Sequence, residues 1–439
     1  MLISFNVSNY RSIGFPQTIS LEPAPKQNAG SENILQENGI EALNAIAFYG
    51  PNSSGKSNLL KSIEVFDRMI YMSRSTNSTS KLPYDPFLLR EGYQDKPTSF
   101  EIVFVHNDAR YRYGFSYNQE EIMEEWLYRK RVGREVQVFA RDGEVIEVSS
   151  ALKASSKIID VAIEATRNNA LFLAMCDSFN IKEAKEIFEW FGLLNYADGL
   201  DTSREQIATF SLLEEDTFAN SIKSYLSGLK LGFKDLFIEE KEFDPNELPD
   251  DMPESMKQRI SKDLSGKVNT SAWAIHSTYD VDGNRSEGSI SWMLEDRESE
   301  GTKKAFHLSG PILFTLRKGG VLIIDEIEAK MHPLLTKRII SLFLDKSINT
   351  KGAQLIFATH DTNILSHLDL RRDQINFVEK NKWESTNIYA LSDIRYKNKK
   401  SERHDTDKEK RYLEGRYGGI PELEPNFVND IMQAYGEER

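Results

Sequence analysis

One cysteine in a chain of 439 residues leaves no partner for an intrachain disulfide, and such scarcity suits a reducing, cytoplasmic setting. Cys176 follows Leu171-Phe172-Leu173-Ala174-Met175, a run that predicts a buried apolar residue, not a nucleophile. No apolar stretch reaches the roughly 18 residues a membrane span needs, so none is expected. The opening Met1-Leu2-Ile3-Ser4-Phe5-Asn6-Val7 alternates like a strand and lacks a basic leader, so a signal peptide is not expected. Positive charge is also short: 55 Lys and Arg against 68 Asp and Glu give a net charge of −13. That balance argues against a protein that coats nucleic acid non-specifically. One local exception runs from Arg395 to Arg411, with Arg395, Lys397, Lys399, Lys400, Arg403, Lys408, Lys410 and Arg411. Glu402, Asp405, Asp407 and Glu409 interrupt it, so it reads as a solvated loop before it reads as a nucleic-acid contact. The remainder, 39% hydrophobic and 28% charged, is ordinary for a globular chain with room for one large or several medium domains.

Against that background one segment is dense with chemistry. Gly50-Pro51-Asn52-Ser53-Ser54-Gly55-Lys56-Ser57 spells the phosphate-binding loop G-x-x-x-x-G-K-[ST]. An apolar run, Ala45-Ile46-Ala47-Phe48-Tyr49, precedes it as a buried strand would. Leu59, Leu60, Ile63, Phe66 and Ile70 follow on one face of a helix. The glycines let backbone N–H groups close around phosphate oxygens, and the helix N-terminus favours the anion. Lys56 then reaches the β- and γ-phosphates, and the Ser57 hydroxyl ligates Mg²⁺. A chance match in a Gly/Ser turn is the competing reading, weakened by the flanking strand and helix.

Residues 1–22 read as two strands around Asn9-Tyr10-Arg11-Ser12, followed by a polar loop to about residue 40. Ser73 to Lys81 reads as a loop or lid. Between Thr98 and Val148 a period of two, with His106-Asn107-Asp108 at a turn, predicts an antiparallel meander. The middle is amphipathic and helical around Ile181–Phe191 and Asp216–Leu231, with an acidic linker from Glu239 to Asp251. Asp282-Gly283-Asn284 signals a hairpin. A helix (303–317), the strand Val321-Leu322-Ile323-Ile324, a helix (334–346) and the strand Gln354–Ala358 then alternate as in a parallel sheet. The predicted fold is thus α/β and split. Residues 1–150 form the N-terminal half of a nucleotide-binding domain, 151–268 a helical insertion or lid, and 269–439 the C-terminal half.

The apolar strand 321–324 ends in Asp325-Glu326. Paired acids at the tip of a buried strand need a reason, because unpaired buried charge is costly. Mg²⁺ held by Asp325 and a water oriented by Glu326 supply one; a strand that simply surfaces is the alternative. Gln354–Ala358 ends in Thr359-His360-Asp361, and strand order places His360 beside Asp325. A histidine there can sense the γ-phosphate. His332, before a helix, reads as a packing or interface residue.

About 270 residues separate Lys56 from Asp325, a spacing similar to that of ABC-type ATPases of the SMC and RecF kind. Those need a signature loop that caps a partner's γ-phosphate. Leu308-Ser309-Gly310 copies the familiar letters but falls in a helical pattern before Pro311. Ser299-Glu300-Gly301-Thr302 instead opens a helix with a hydroxyl and free N–H groups, and is the better candidate.

With these motifs the chain resembles ABC-type ATPases of the abortive-infection kind, RloA- or AbiL-like, relatives of the OLD-family and RecF ATPases. The resemblance also runs through Asn9-Tyr10-Arg11-Ser12-Ile13, Tyr49 to Asn58, Tyr111-Arg112-Tyr113-Gly114-Phe115, Glu124-Glu125-Trp126-Leu127-Tyr128 and Ile324-Asp325-Glu326-Ile327-Glu328. His332-Pro333, Thr359-His360 and Gly415-Arg416-Tyr417-Gly418-Gly419-Ile420-Pro421 complete it. It implies an ABC/SMC-like P-loop head with a β-meander lobe, a parallel core sheet flanked by helices, and a helical insertion. It further implies an ATP- and Mg²⁺-dependent ATPase whose two copies sandwich ATP, one giving Lys56, Ser57, Asp325 and Glu326 and the other Ser299, Gly301 and Thr302. The implied role is the sensor of a bacterial antiphage system that controls a separately encoded effector, a TOPRIM-like or other nuclease. Ala329-Lys330 departs from the small polar pair of relatives and puts communication between subunits through that loop in doubt. By the same analogy Gln94 is the candidate for a Mg²⁺-coordinating glutamine, and Arg11 touches the nucleotide or else makes a surface ion pair. A RecF-like ATPase acting directly on DNA is the alternative function, and it predicts stimulation by DNA with salt-sensitive affinity.

Overall fold

The computed structural model describes residues 1–25, 30–248, 252–266, 268–395 and 406–421. Positions 396–405, most of the basic stretch noted above, lie outside them. The chain divides into two compact units: Met1–Asp198, Thr315–Glu328 and Ile339–Arg439 form the first, Gly199–Phe314 and Ala329–Arg338 the second.

In chain order the first unit opens with β1 (Leu2–Ser8), β2 (Gln17–Ser20), a hairpin of β3 (Ile34–Glu37) and β4 (Ile40–Leu43), then β5 (Ala45–Tyr49) and α1 (Lys56–Ser75). The meander follows as β6 (Thr98–His106), β7 (Ala109–Tyr117), β8 (Ile122–Lys130), β9 (Val136–Asp142) and β10 (Val145–Val148), then α2 (Ser156–Ala165), α3 (Phe172–Ser178), α4 (Lys182–Phe191) and β11 (Leu194–Asp198). The second unit holds α5 (Ser203–Leu213), α6 (Asp216–Leu229), β12 (Asp235–Glu242), α7 (Glu254–Leu264), β13 (Val268–Tyr279), β14 (Arg285–Met293), α8 (Leu294–Arg297) and most of α9 (Glu300–Lys318). Then come β15 (Val321–Asp325), α10 (Pro333–Leu344), β16 (Gln354–Ala358), α11 (Asn363–His367), β17 (Ile375–Lys380), β18 (Thr386–Ala390) and α12 (Lys408–Leu413).

Two sheets build the first unit. Period-two alternation gives an antiparallel sheet in the order β10-β9-β8-β7-β6-β1-β2. The continuous apolar runs β5, β15 and β16 form the centre of a second sheet, β11-β15-β16-β5-β17-β18, parallel except for the β17–β18 hairpin. Buried strands with no polar face are what a sheet covered on both sides requires. Helix α1 buries Leu59, Leu60, Ile63, Phe66 and Ile70 as its periodicity predicts. Phe66 stacks on Phe115 at 5.4 Å and meets Phe5, Phe100 and Phe191 edge-on, which ties the helix after the phosphate loop to the meander sheet.

Four sequence expectations change. The polar loop to residue 40 contains the β3–β4 hairpin, closed by Asn38-Gly39, both at positive φ. Helix α1 runs to Ser75, into the stretch expected to be a loop. The first part of the acidic linker is strand β12: Leu236 is buried and Ile238 packs against the second unit's core, while the exposed Glu239 to Glu242 extend the strand. The segment 151–268 is divided: α2, α3, α4 and β11 belong to the first unit, where Trp190 stacks on Phe104 at 4.0 Å. The rest is not purely helical, because β12 and β13 join β14 in a three-stranded sheet.

Candidate nucleotide site

At the end of β5 the chain turns through Gly50–Gly55 and enters α1. Ser53 (φ 64°) and Gly55 (φ 107°) take left-handed conformations, which suits a loop that turns successive N–H groups inward. A Cβ at Gly50 would lie 2.2 Å from the Val378 carbonyl oxygen, and one at Gly55 would lie 2.0 Å from Thr386 Oγ1 and 2.8 Å from Ser12 Oγ. Both glycines are therefore obligatory for close backbone approach. The Thr386 hydroxyl donates to the Ser54 carbonyl (2.9 Å) and meets Ser12 Oγ at 2.8 Å, while Asn58 Nδ2 donates to Ser12 Oγ at 2.8 Å. Sequence reading missed Ser12 and Thr386 as supports of the loop. The Asn9-to-Ile13 motif was a signal for the first; a lone threonine more than 300 residues from the loop gave none for the second.

Strand β16 lies beside β5 and β15 beside β16, all parallel, so their C-terminal tips share one edge. Asn52, Ser53, Ser54, Gly55, Lys56, Ser57, Asn58, Asp325, Glu326 and His360 line a single cleft of about 330 Å³ there. Lys56 is buried, and its Nζ donates to the Gly50 and Pro51 carbonyls at 2.8 and 3.1 Å. Burial lowers its pKa from 10.5, opposed by Asp325, Glu326 and Glu328. Partial burial, followed by the charge of Lys56, lowers the His360 pKa from 6.5 against the opposing Glu328, Glu326 and Asp325, which favours the neutral imidazole. The His360 backbone N–H donates to Glu328 Oε1 at 2.6 Å, binding the tips of neighbouring strands together. Glu326 sits at φ 48°, a conformation that non-glycine residues adopt at a cost and that accumulates at functional sites. Asp325 Oδ1 and Ser54 Oγ are buried with no hydrogen-bond partner among the described residues. An acid oxygen and a hydroxyl so placed fit a divalent cation and a phosphate.

Other predicted residues do not join this cleft. The Arg11 guanidinium pairs with Asp85 at 2.8 Å on the surface, the ion-pair alternative for that residue. Gln94 is exposed, and its carbonyl accepts from the Tyr84 hydroxyl at 2.7 Å. Ser299, Gly301 and Thr302 belong to the second unit and open α9: Ser299 Oγ accepts from the Thr302 N–H at 3.2 Å. A Cβ at Gly301 would lie 2.7 Å from the Lys330 carbonyl oxygen, and buried Lys304 donates to the Ala329 carbonyl at 2.9 Å. The Ala329-Lys330 loop is thus held to the start of α9 by the Lys304 ammonium and by a Lys330–Glu300 ion pair at 3.2 Å. The Leu308-Ser309-Gly310 letters are buried within that helix, where a Cβ at Gly310 would lie 2.5 Å from Thr209 Oγ1. His332 is exposed, and its Nδ1 accepts from the Leu334 N–H at 3.2 Å, a local helix-start contact. Cys176 is buried, with its thiol pKa pushed up by burial.

Residues 45–148 and 166–366, more than half of the chain, match the family described as "AAA domain, putative AbiEii toxin, Type IV TA system". Two solved structures of the recombination mediator protein RecF are also similar. The form titled RecF-ATPrS is 12% identical, covering 88% of this chain and 98% of that one with a TM-score of 0.29. The form titled RecF-ATP is 13% identical, covering 82% and 93% with a TM-score of 0.30. No curated protein matches. With a phosphate loop, an acid-tipped strand and a histidine-tipped strand converging on one edge of a largely parallel sheet, and a family match across most of its length, the chain belongs to this AAA-domain family.

Proposed function

We propose that the chain binds ATP with Mg²⁺ in this cleft, hydrolyses it, and dimerises around it as the sensor of an antiphage defence system that controls a separately encoded effector. The convergence of Lys56, Asp325, Glu326 and His360 on one cleft with the Asn52–Asn58 backbone carries the proposal. The loop N–H groups and Lys56 bind and orient the triphosphate; to do so the Lys56 ammonium exchanges the Gly50 and Pro51 carbonyls for phosphate oxygens. Ser57 and Asp325 would hold Mg²⁺, which supplies neutralising charge at the β- and γ-oxygens. Glu326 orients and deprotonates the attacking water, and the neutral His360 imidazole hydrogen-bonds at the γ-phosphate side.

For dimerisation the support is Ser299, exposed at the start of α9 with Gly301 and Thr302 behind it, an anion cap suited to the γ-phosphate of a second copy. Support for the defence role is the family description, which names a putative AbiEii toxin of a type IV TA system. No described helix is long and apolar enough to cross a membrane. The test is a pair of variants. Lys56→Ala abolishes ATP binding, whereas Glu326→Gln keeps it and accumulates a closed dimer; hydrolysis at the normal rate by Glu326→Gln would remove Glu326 from the mechanism.

A further inference from the structure

The cleft accounts for the triphosphate and leaves the other end of the nucleotide unassigned. Topology sets what stands on each flank of that cleft. The phosphate loop caps β5; Asp325, Glu326 and His360 cap β15 and β16 on one flank, and β17 pairs parallel to β5 on the other. A nucleotide whose γ-phosphate faces the acids has the β17–β18 turn, residues 381–385, on the flank opposite them. That turn is anchored to the loop: Thr386 N donates to the Ser12 carbonyl at 2.8 Å, and Gly14 N donates to Ser385 Oγ at 2.9 Å.

An aromatic and cationic cluster stands there, assembled from three remote parts of the chain. Trp383 is 43% exposed and its ring lies 5.3 Å from that of Phe15. The Arg90 guanidinium lies 5.2, 5.1 and 5.4 Å from the rings of Phe15, Tyr93 and Trp383. Arg90 donates to the Tyr93 hydroxyl at 3.3 Å and makes no ion pair among the described residues. Lys382 Nζ lies 4.3 Å over the Trp383 ring. In a chain of net charge −13, two cations gathered on the exposed Trp383 ring need a reason. An electron-rich heteroaromatic ring supplies it, stacking on indole and guanidinium planes alike.

Resting on the ATP reading above, we propose that Trp383, Phe15 and Arg90 form the platform on which the base of the bound nucleotide stacks. The test is calorimetric titration of the full chain with two Mg²⁺-loaded probes, a non-hydrolysable ATP analogue and inorganic tripolyphosphate, which lacks a base. From the usual strength of base stacking, Trp383→Ala weakens the analogue by roughly 5- to 100-fold. It leaves tripolyphosphate affinity unchanged, and Trp383→Phe recovers most of the loss. Arg90→Ala shifts the analogue in the same direction. Analogue affinity that survives Trp383→Ala, or an equal loss for both probes, overturns the platform while leaving the phosphate site intact as a reading. Failure of the unaltered chain to bind either probe would instead sink the ATP assignment itself.

Discussion

Glu125, in the Glu124-to-Tyr128 motif, shows how a single residue can organise a core from a position that looks functional in sequence. Its carboxylate is wholly buried and accepts from the Phe172 and Leu173 N–H groups (2.6 and 3.0 Å) and from the Tyr113 hydroxyl (3.0 Å), joining two meander strands to the start of α3. Burial raises its pKa, with Arg141 and these donors opposing. Glu125→Ala strands three buried donors and is expected to cost about 3 kcal/mol or more in urea unfolding, with Glu125→Gln costing less. Asp67 of α1 is the opposite case. Its Oδ1 is buried without a partner, and burial pushes its pKa up from 3.8 to about 8. A carboxyl whose pKa is raised on folding loses stability as pH climbs from its unfolded value through its folded one. Asp67→Asn is therefore expected to raise the melting temperature, with the gain growing between pH 4 and pH 8. His360 carries the reverse sign for a base. Its pKa is lowered from 6.5, so its contribution is complete above that value and is lost as pH falls below it. The acid limb of kcat/KM for ATP hydrolysis is expected below pH 6.5, and to vanish in His360→Gln.

At the scale of elements, α9 explains why a signature-like triplet lies in a helix that contains a proline. Pro311 has no N–H for the His307 carbonyl, and the Thr209 hydroxyl of α5 donates to that oxygen at 2.6 Å while accepting from Gly310 N at 3.0 Å. Gly310 is small so that α5 can approach, not so that phosphate can. Thr209→Val is expected to destabilise by about 1–3 kcal/mol, the range for a stranded buried polar group. In a Pro311→Ala background the restored N–H can serve His307, so the same change is expected to cost less; a double-mutant cycle with no coupling would contradict this account. The C-terminal motif is likewise an element-scale clasp. Tyr412 of α12 stacks on Phe377 of β17 at 5.4 Å and donates to the Gly419 carbonyl at 2.7 Å, and Tyr389 of β18 donates to the Tyr417 carbonyl at 2.8 Å. Tyr412 also meets Tyr49, the residue before the phosphate loop, at 5.8 Å. The motif therefore braces β5 and β17 where they flank the nucleotide site.

For the whole molecule the proposed cycle makes assembly depend on ATP. Glu326→Gln with ATP is expected to double in mass by light scattering, and Ser299→Arg, which obstructs an anion cap, to return it to the monomer while ATP still binds. If the chain acts through an effector and not on DNA, added duplex is expected to leave the hydrolysis rate unchanged at low salt, where phosphate contacts are strongest.

Sequence alone determined the local chemistry of the phosphate loop, the acid-tipped strand and the histidine-tipped strand, because each depends on a contiguous run whose period and end residues are printed in order. It likewise implied the split sheet, since apolar strands and amphipathic helices alternate on both sides of the insertion. Tertiary structure alone decided that Ser12 and Thr386 brace the loop, that Gln94 stands outside the cleft, and that Phe15, Arg90 and Trp383 gather in one place. Those depend on strand order, and strand order is set by burial between segments hundreds of residues apart, which no local period records.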